Sequence, residues 1–374
     1  MNEDKASRYH RLKRRSAMLS IVVTAGVLGV FLLSGASSVV ADRARHVTRA
    51  AAGDYSFLTV GIYVAVLAAI QEAVAFPLAF YRGLLLERRY GLSSESLGAW
   101  LGDQGKAAAL GLALGLAGAE VVYASLHFTA AWWWLLSSAV FVIVIGVMAK
   151  IAPLVLLPLF YKFTPLTRES LRERLVSLSA RAGVPVLGVY EWGLGDKTRR
   201  ANAALVGTGA TRRIIVSDTL LAEYSDDEIE VILAHELAHH VHRDILAGLV
   251  AEALLLVAAF VVAATALALW WEPLGLNAPN DVAGLPLLLL VGGAVSLAAT
   301  PGVNALSRWN ERRADRYALA LTRQPAAFIS AMKRLAAQNL AEEHPSRAVL
   351  WLFHTHPPVE QRIEAARTFQ GKAA

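Results

Sequence analysis

"VILAHELAHHVHRD", residues 231–244, carries four histidines, a glutamate and an aspartate within a run of aliphatic residues. A buried core helix has little reason to hold so many imidazoles, because polar groups cost free energy when buried without partners. Upstream, Ser225 followed by Asp226, Asp227 and Glu228 forms an S-x-x-E capping box, with acidic residues where the helix dipole favours them, so a helix starts there. His235 and His239 then lie four residues apart, on one face and one turn from each other, a separation from which two imidazoles reach one ion. Glu236 stands beside them, placed to reach a water on that ion rather than the ion itself. The pattern is H-E-x-x-H, which this composition produces by chance about 0.02 times per chain. His240 and His242 point elsewhere on the helical wheel and read as solvated or supporting histidines.

Working outward, the chain is unusually apolar: 56% of its 374 residues are hydrophobic and the mean hydropathy is +0.45. That composition points to a membrane. Crossing a bilayer takes roughly 20 apolar residues, and six stretches qualify: 17–41, 57–80, 107–126, 131–160, 245–271 and 284–305. The basic leader (Lys5, Arg8, Arg11, Lys13, Arg14, Arg15) resembles that of a signal peptide, but the apolar run is too long and too many spans follow, so it reads as an uncleaved anchor. Lys and Arg bias the leader and the loop 81–106 to the cytoplasmic side, against the arginines of loop 42–54. Trp132–Trp134 and Trp270–Trp271 fall at the opposite ends of their spans, where interfacial indoles sit well. Segments 161–244 and 306–374 are then cytoplasmic. The net charge of +6 follows from this bias, and nucleic acid is not needed to explain it. With no cysteine there is neither a disulfide framework nor a thiolate ligand or nucleophile.

Two imidazoles, a carboxylate and one open position suit zinc. An antiparallel pair of spans, 245–271 leaving the histidine helix and 284–305 returning, brings the residues after 305 back beside His235. There "ALSRWNERRADRYALAL" places Glu311 and Asp315 four apart on one face. Glu311 fits as third metal ligand, and Asp315 as the carboxylate that orients a ligating histidine. Between spans, "PLTRESLRERLVSLSARAG" reads as an amphipathic helix, "VLGVYEW" as a strand, and "NAALV" with "RRIIVSD" as a hairpin turning on glycines. The expected organisation is a membrane domain, 1–160, with four spans, and a metallopeptidase domain, 161–374, interrupted by the other two. Glu72, Glu120, Lys150 and Glu252 sit inside apolar runs and are expected to face the interior or water.

The segments "VILAHELAHH", "SRWNERRADRYAL", "RRANAALVGTGATRRIIVSDTLL" and "YRGLLLERRYGLSSESLGAWLGDQGK" together resemble the type I CAAX prenyl endopeptidases, integral-membrane gluzincins, over nearly the whole chain after residue 60. The resemblance implies a polytopic α-helical membrane protein around a water-filled chamber, with a cytoplasmic zincin-like α+β domain. It implies zinc held by His235, His239 and Glu311, Glu236 as base, and Asp315 as supporting carboxylate or proton donor. His356 in "FHTHPPVEQRI" matches the family's His-Pro pattern and reads as a donor to the tetrahedral oxyanion. Asn202 and Ala203 resemble the edge strand along which such enzymes lay an extended substrate. Two departures stand out: His240 replaces the family's usual aromatic residue, and six spans are read where eukaryotic members have seven.

The leading expectation is a zinc metalloendopeptidase of the cell membrane, multi-pass, with its active site on the cytoplasmic side and protein or peptide substrates, lipidated or misfolded. The Cys-free, Ala- and Arg-rich chain looks prokaryotic. The alternative is a polytopic carrier or binding protein with a structural metal.

Overall fold

The computed structural model describes residues 4–50 and 54–373. Among them six helices are long and apolar enough to cross a membrane: Lys5–Leu33, Phe57–Arg89, Leu97–Phe128, Trp133–Val155, Asp244–Trp270 and Val282–Thr322. The first differs from the stretch 17–41 read from hydropathy. Its helix begins at Lys5, Asp4 accepting from Ala6 N–H as its cap, and breaks at Gly35, which adopts φ +77°. Only glycine takes that conformation at little cost, and the apolar residues beyond it start a separate helix, Ala36–Thr48. The last span runs on without a break to Thr322, so the residues after 305 continue one rod instead of beginning a new helix.

The ends of the spans opposite the histidine helix are tied by polar contacts. Arg45, buried, pairs with Asp281 at 2.9 Å, and the Ser37 hydroxyl donates to the Ala283 carbonyl beside Tyr63. Five spans surround an apolar cavity of about 520 Å³ lined by residues such as Leu67, Gly118, Phe260 and Gly293. Of the ionisable residues inside apolar runs, Glu120 accepts from Tyr55 Oη at 2.7 Å, while Glu72, Lys150 and Glu252 are exposed.

Between and after the spans, the chain builds an α+β unit. Its sheet has the order β1-β2-β4-β3 among the described residues, with β1 Phe163–Pro165, β2 Gly188–Trp192, β3 Ala203–Val206 and β4 Arg213–Ser217. β2 and β4 are parallel, and β3 pairs antiparallel with β4, Ala203 opposite Val216. β3 therefore lies at the sheet edge. The amphipathic helix Glu169–Arg181 covers the sheet with Leu171, Leu175 and Leu178, all fully buried against Ile214, Leu233 and Phe328. Each such side chain contributes about 1.5–3 kcal/mol by leaving water. This core fixes the histidine helix, Asp226–Val241, whose Ile229, Leu233 and Leu237 reach into it.

Candidate active site

The histidine helix starts as its sequence dictates: the Ser225 hydroxyl accepts from Glu228 N–H at 3.3 Å, and Glu228 Oε2 accepts from Ser225 N–H at 2.9 Å. With its apolar side chains packed into the core, this helix carries His235 buried and His239 half-buried on one face. Glu311 comes from the last span, a turn beyond the apolar stretch. One ligand atom from each of His235, His239 and Glu311 lies within 4.8 Å of the other two. His235 Nε2 is 3.2 Å from Glu311 Oε2, and His239 Nε2 is 3.5 Å from Oε1.

The opposite ring nitrogens are also occupied. His235 Nδ1 lies 2.9 Å from Asp315 Oδ1, and His239 Nδ1 lies 2.8 Å from Asp244 Oδ2. A carboxylate at Nδ1 holds the proton there and leaves a lone pair on Nε2. Arg362 Nη2 also approaches His235 Nδ1, at 3.4 Å, but the shorter contact with Asp315 assigns the proton. Both Nε2 atoms then face the Glu311 carboxylate, whose charge, against the effect of burial, also holds the two imidazoles above their ordinary values. A positive charge, a proton or a metal ion, is therefore favoured between them. Glu311 Oε2 is buried and lacks a hydrogen-bond donor. The donor set, two imidazole nitrogens and a carboxylate oxygen, is the one that suits Zn²⁺ at a site with an open position.

A cleft of about 160 Å³ opens beside this cluster. It is lined by Ala201, Asn202 and Ala203 from β3 and the segment before it, His235 and Glu236 from the histidine helix, Met332, Leu335 and Asn339, and His356 and Arg362. Every residue singled out in the sequence for substrate or proton transfer at this site borders that cleft except Asp315, which stands behind His235. Burial raises the Glu236 carboxyl above its ordinary value, against the opposing pull of His235 and His239. Burial likewise lowers the His356 imidazole, opposed by Glu311, whose Oε1 lies 3.4 Å from His356 Nε2. His240 reaches away from the cluster, its Nε2 3.2 Å from the Leu205 carbonyl of β3. His242 stacks edge-on against Tyr317 at 5.5 Å.

Three participants were not evident in the sequence. Asp244 meets His239 because Arg243, at φ +57°, turns the chain between the histidine helix and the next span. Arg362, from the helix Val359–Ala373, donates from Nε and Nη2 to the two Asp315 oxygens at 2.9 and 2.6 Å. Asn339 lines the cleft with a buried, unpaired Oδ1. The only signal for Arg362 was its place in "HPPVEQRI", six residues after His356.

Residues 165–370 match the family described as peptidase family M48, and residues 2–162 match the CAAX prenyl protease N-terminal family, five membrane helices. An uncharacterized metalloprotease of Bacillus subtilis, YhfN, is 29% identical over 371 residues, covering 96% of this chain and 84% of its own. A CAAX prenyl protease 1 homolog of Caenorhabditis elegans is 26% identical over 355 residues, covering 84% of this chain and 78% of its own. The crystal structure of S. mikatae Ste24p superposes with a TM-score of 0.86 at 21% identity, over 97% of this chain and 88% of that one. Those last figures speak to the shared fold.

Proposed function

From the premise that this chain belongs to peptidase family M48, a multi-pass membrane metalloprotease, we propose that it is a zinc endopeptidase cutting membrane-associated proteins, lipidated or misfolded, at a site facing the cytoplasm. Residues 1–160 serve as its membrane domain and 161–374 as its catalytic domain. His235, His239 and Glu311 hold the ion, and Asp315 and Asp244 orient the two imidazoles. The observation that carries this reading is the pairing of both Nδ1 atoms with carboxylates, which turns two Nε2 lone pairs toward Glu311.

Zinc bound there supplies Lewis acidity, lowering the pKa of water and polarising a carbonyl oxygen. The chain's own groups do the rest. The free edge of β3 at Asn202 and Ala203 receives an extended peptide by main-chain hydrogen bonds. Glu236, which lines the cleft, takes the proton of the attacking water and passes it to the leaving amine. His356, which also lines the cleft, donates to the tetrahedral oxyanion, where a preorganised donor is worth most. The apolar wall of Leu220, Ile232 and Met332 limits competing water.

The test compares wild type with Glu236→Gln, measuring bound zinc and cleavage of an unfolded membrane protein and of a prenylated peptide. The variant keeps its zinc and loses proteolysis of both. Unchanged behaviour in both measurements favours a carrier with a structural metal. Which of the two substrates wild type cuts faster separates quality control from processing of lipidated termini.

A further inference from the structure

The last span presents one stripe of buried polar side chains: Asn304, Arg308, Glu311 and Asp315. Their spacings of four, three and four put them on a single helical face. Glu311 and Asp315 belong to the cluster described above. Asn304 and Arg308 face a different partner, the short helix Arg347–Phe353. Asn304 Nδ2 donates to the Trp351 carbonyl at 3.1 Å, and Arg308 Nη1 donates to the carbonyls of Leu350 and His354 at 2.9 and 2.6 Å.

Arg308 is an unusual buried cation. It is 5% exposed, and among the described residues no carboxylate pairs with it. A buried guanidinium without a counter-ion is costly, so its retention calls for a purpose. Its compensation comes from carbonyls at the negative end of a helix, which favours a cation, and from the Trp351 ring, 5.8 Å away. The short helix is otherwise loosely held, its one other polar tie being His354, whose Nε2 lies 3.4 Å from Glu342 Oε2. No residue of it is buried, and Trp351, Leu352 and Phe353 are 54%, 47% and 40% exposed.

Two residues past the clamped His354 carbonyl comes His356, then Pro357 and Pro358, whose rings fix φ and stiffen the path. The next helix is held by Arg362 on Asp315. The loop bearing His356 is thus gripped at both ends by the span that supplies Glu311, Arg308 before it and Asp315 after it. We propose that Arg308 is a positioning residue, which sets His356 over the cleft by holding the carbonyls of Leu350 and His354 and acts on peptide hydrolysis only through His356.

This rests on the reading of His356 as a transition-state donor and is tested by a double-mutant cycle on the full-length, zinc-loaded enzyme. Cleavage kinetics and zinc content are measured for wild type, Arg308→Gln, His356→Ala and the double variant. His356→Ala lowers kcat by about 10²- to 10³-fold. Arg308→Gln lowers kcat at least about tenfold, with KM and zinc content held, and the double variant is no slower than His356→Ala alone, as expected of groups acting as one unit. Arg308→Lys, which keeps the charge but lacks the planar fork, falls between wild type and Arg308→Gln. It replaces that variant in the cycle if Arg308→Gln does not fold. Losses that multiply in the double variant, or loss of zinc in step with activity, overturn the proposal. So does a neutral His356→Ala, which removes the target while leaving the zinc peptidase reading, tested through Glu236, intact.

Discussion

Asp315 and Asp244 make the same contact with two histidines, yet their removal has different consequences. Each carboxylate holds an imidazole at Nδ1, at 2.9 and 2.8 Å. Deleting such a partner costs 10- to 100-fold in metal affinity, about 1.4–2.8 kcal/mol, so Asp315→Ala and Asp244→Ala weaken zinc binding to a similar degree. Stability separates them. Asp315 also pairs with Arg362, whose side chain is 12% exposed against 4% for Asp315 itself. Asp315→Ala strands that guanidinium in the interior, at about 3–5 kcal/mol, a large share of a typical total of 5–15 kcal/mol. Asp244 pairs with Arg313, whose side chain is 26% exposed, so water replaces the lost partner and the cost is below about 1 kcal/mol. Chelator competition gives the zinc affinities, and thermal unfolding of the metal-free proteins in detergent gives the stabilities. The double variant Asp315→Leu with Arg362→Met recovers stability without recovering affinity. Equal stability of the two single alanine variants, or wild-type zinc affinity in Asp244→Ala, refutes this reasoning.

Other perturbations have equally definite outcomes. For Glu228, burial pushes the carboxyl up, but hydrogen bonds from Ser330 and Ser225 and the charge of Arg334 outweigh it and hold it below its ordinary value of 4.5. A depressed folded-state value means the stabilisation is full above the unfolded value and is lost as pH falls through the folded one. Glu228→Gln therefore unfolds at a lower temperature than wild type at pH 7, and the gap narrows as pH falls below the ordinary value of 4.5 and closes once it passes the depressed folded-state one; a constant gap contradicts this. Gly207, at φ +84°, leaves no room for a side chain, because a Cβ there lies 2.5 Å from the Thr211 carbonyl oxygen. Gly207→Ala distorts the β3–β4 hairpin and raises KM while zinc content stays at the wild-type level. His240→Ala loses the contact of His240 with Leu205, about 0.5–1.5 kcal/mol, and shows a several-fold rise in KM with unchanged zinc affinity.

Much of the fold was legible because it depends on local periodicity. The i, i+4 spacing of His235 and His239, the Ser225–Glu228 box and the leucines of Glu169–Arg181 follow from helical geometry alone. Glu311 was reachable because two apolar runs of span length force an antiparallel return. What escaped depends on single backbone conformations or on contacts between distant helices. Hydropathy averages over Gly35 and so joins two helices that its left-handed backbone separates. The three residues of β1 end in Pro165 and are too few to show alternation. Asp244 stood in view beside the histidines, but its contact with His239 requires the turn at Arg243. Arg308 had no signal in the sequence, since nothing local reveals that a helix more than forty residues later lays its carbonyls against it.

The central claim is that one divalent ion is held by two imidazole Nε2 atoms and one carboxylate. Anomalous diffraction or X-ray absorption at the zinc edge on the purified protein measures this directly. The account predicts one zinc per chain, with nitrogen from His235 and His239 at about 2.0–2.1 Å and oxygen from Glu311 at about 2.0–2.2 Å, lost in Glu311→Ala and kept in Glu236→Gln. A chain that binds no zinc, or one whose zinc shell is unchanged in Glu311→Ala, contradicts it.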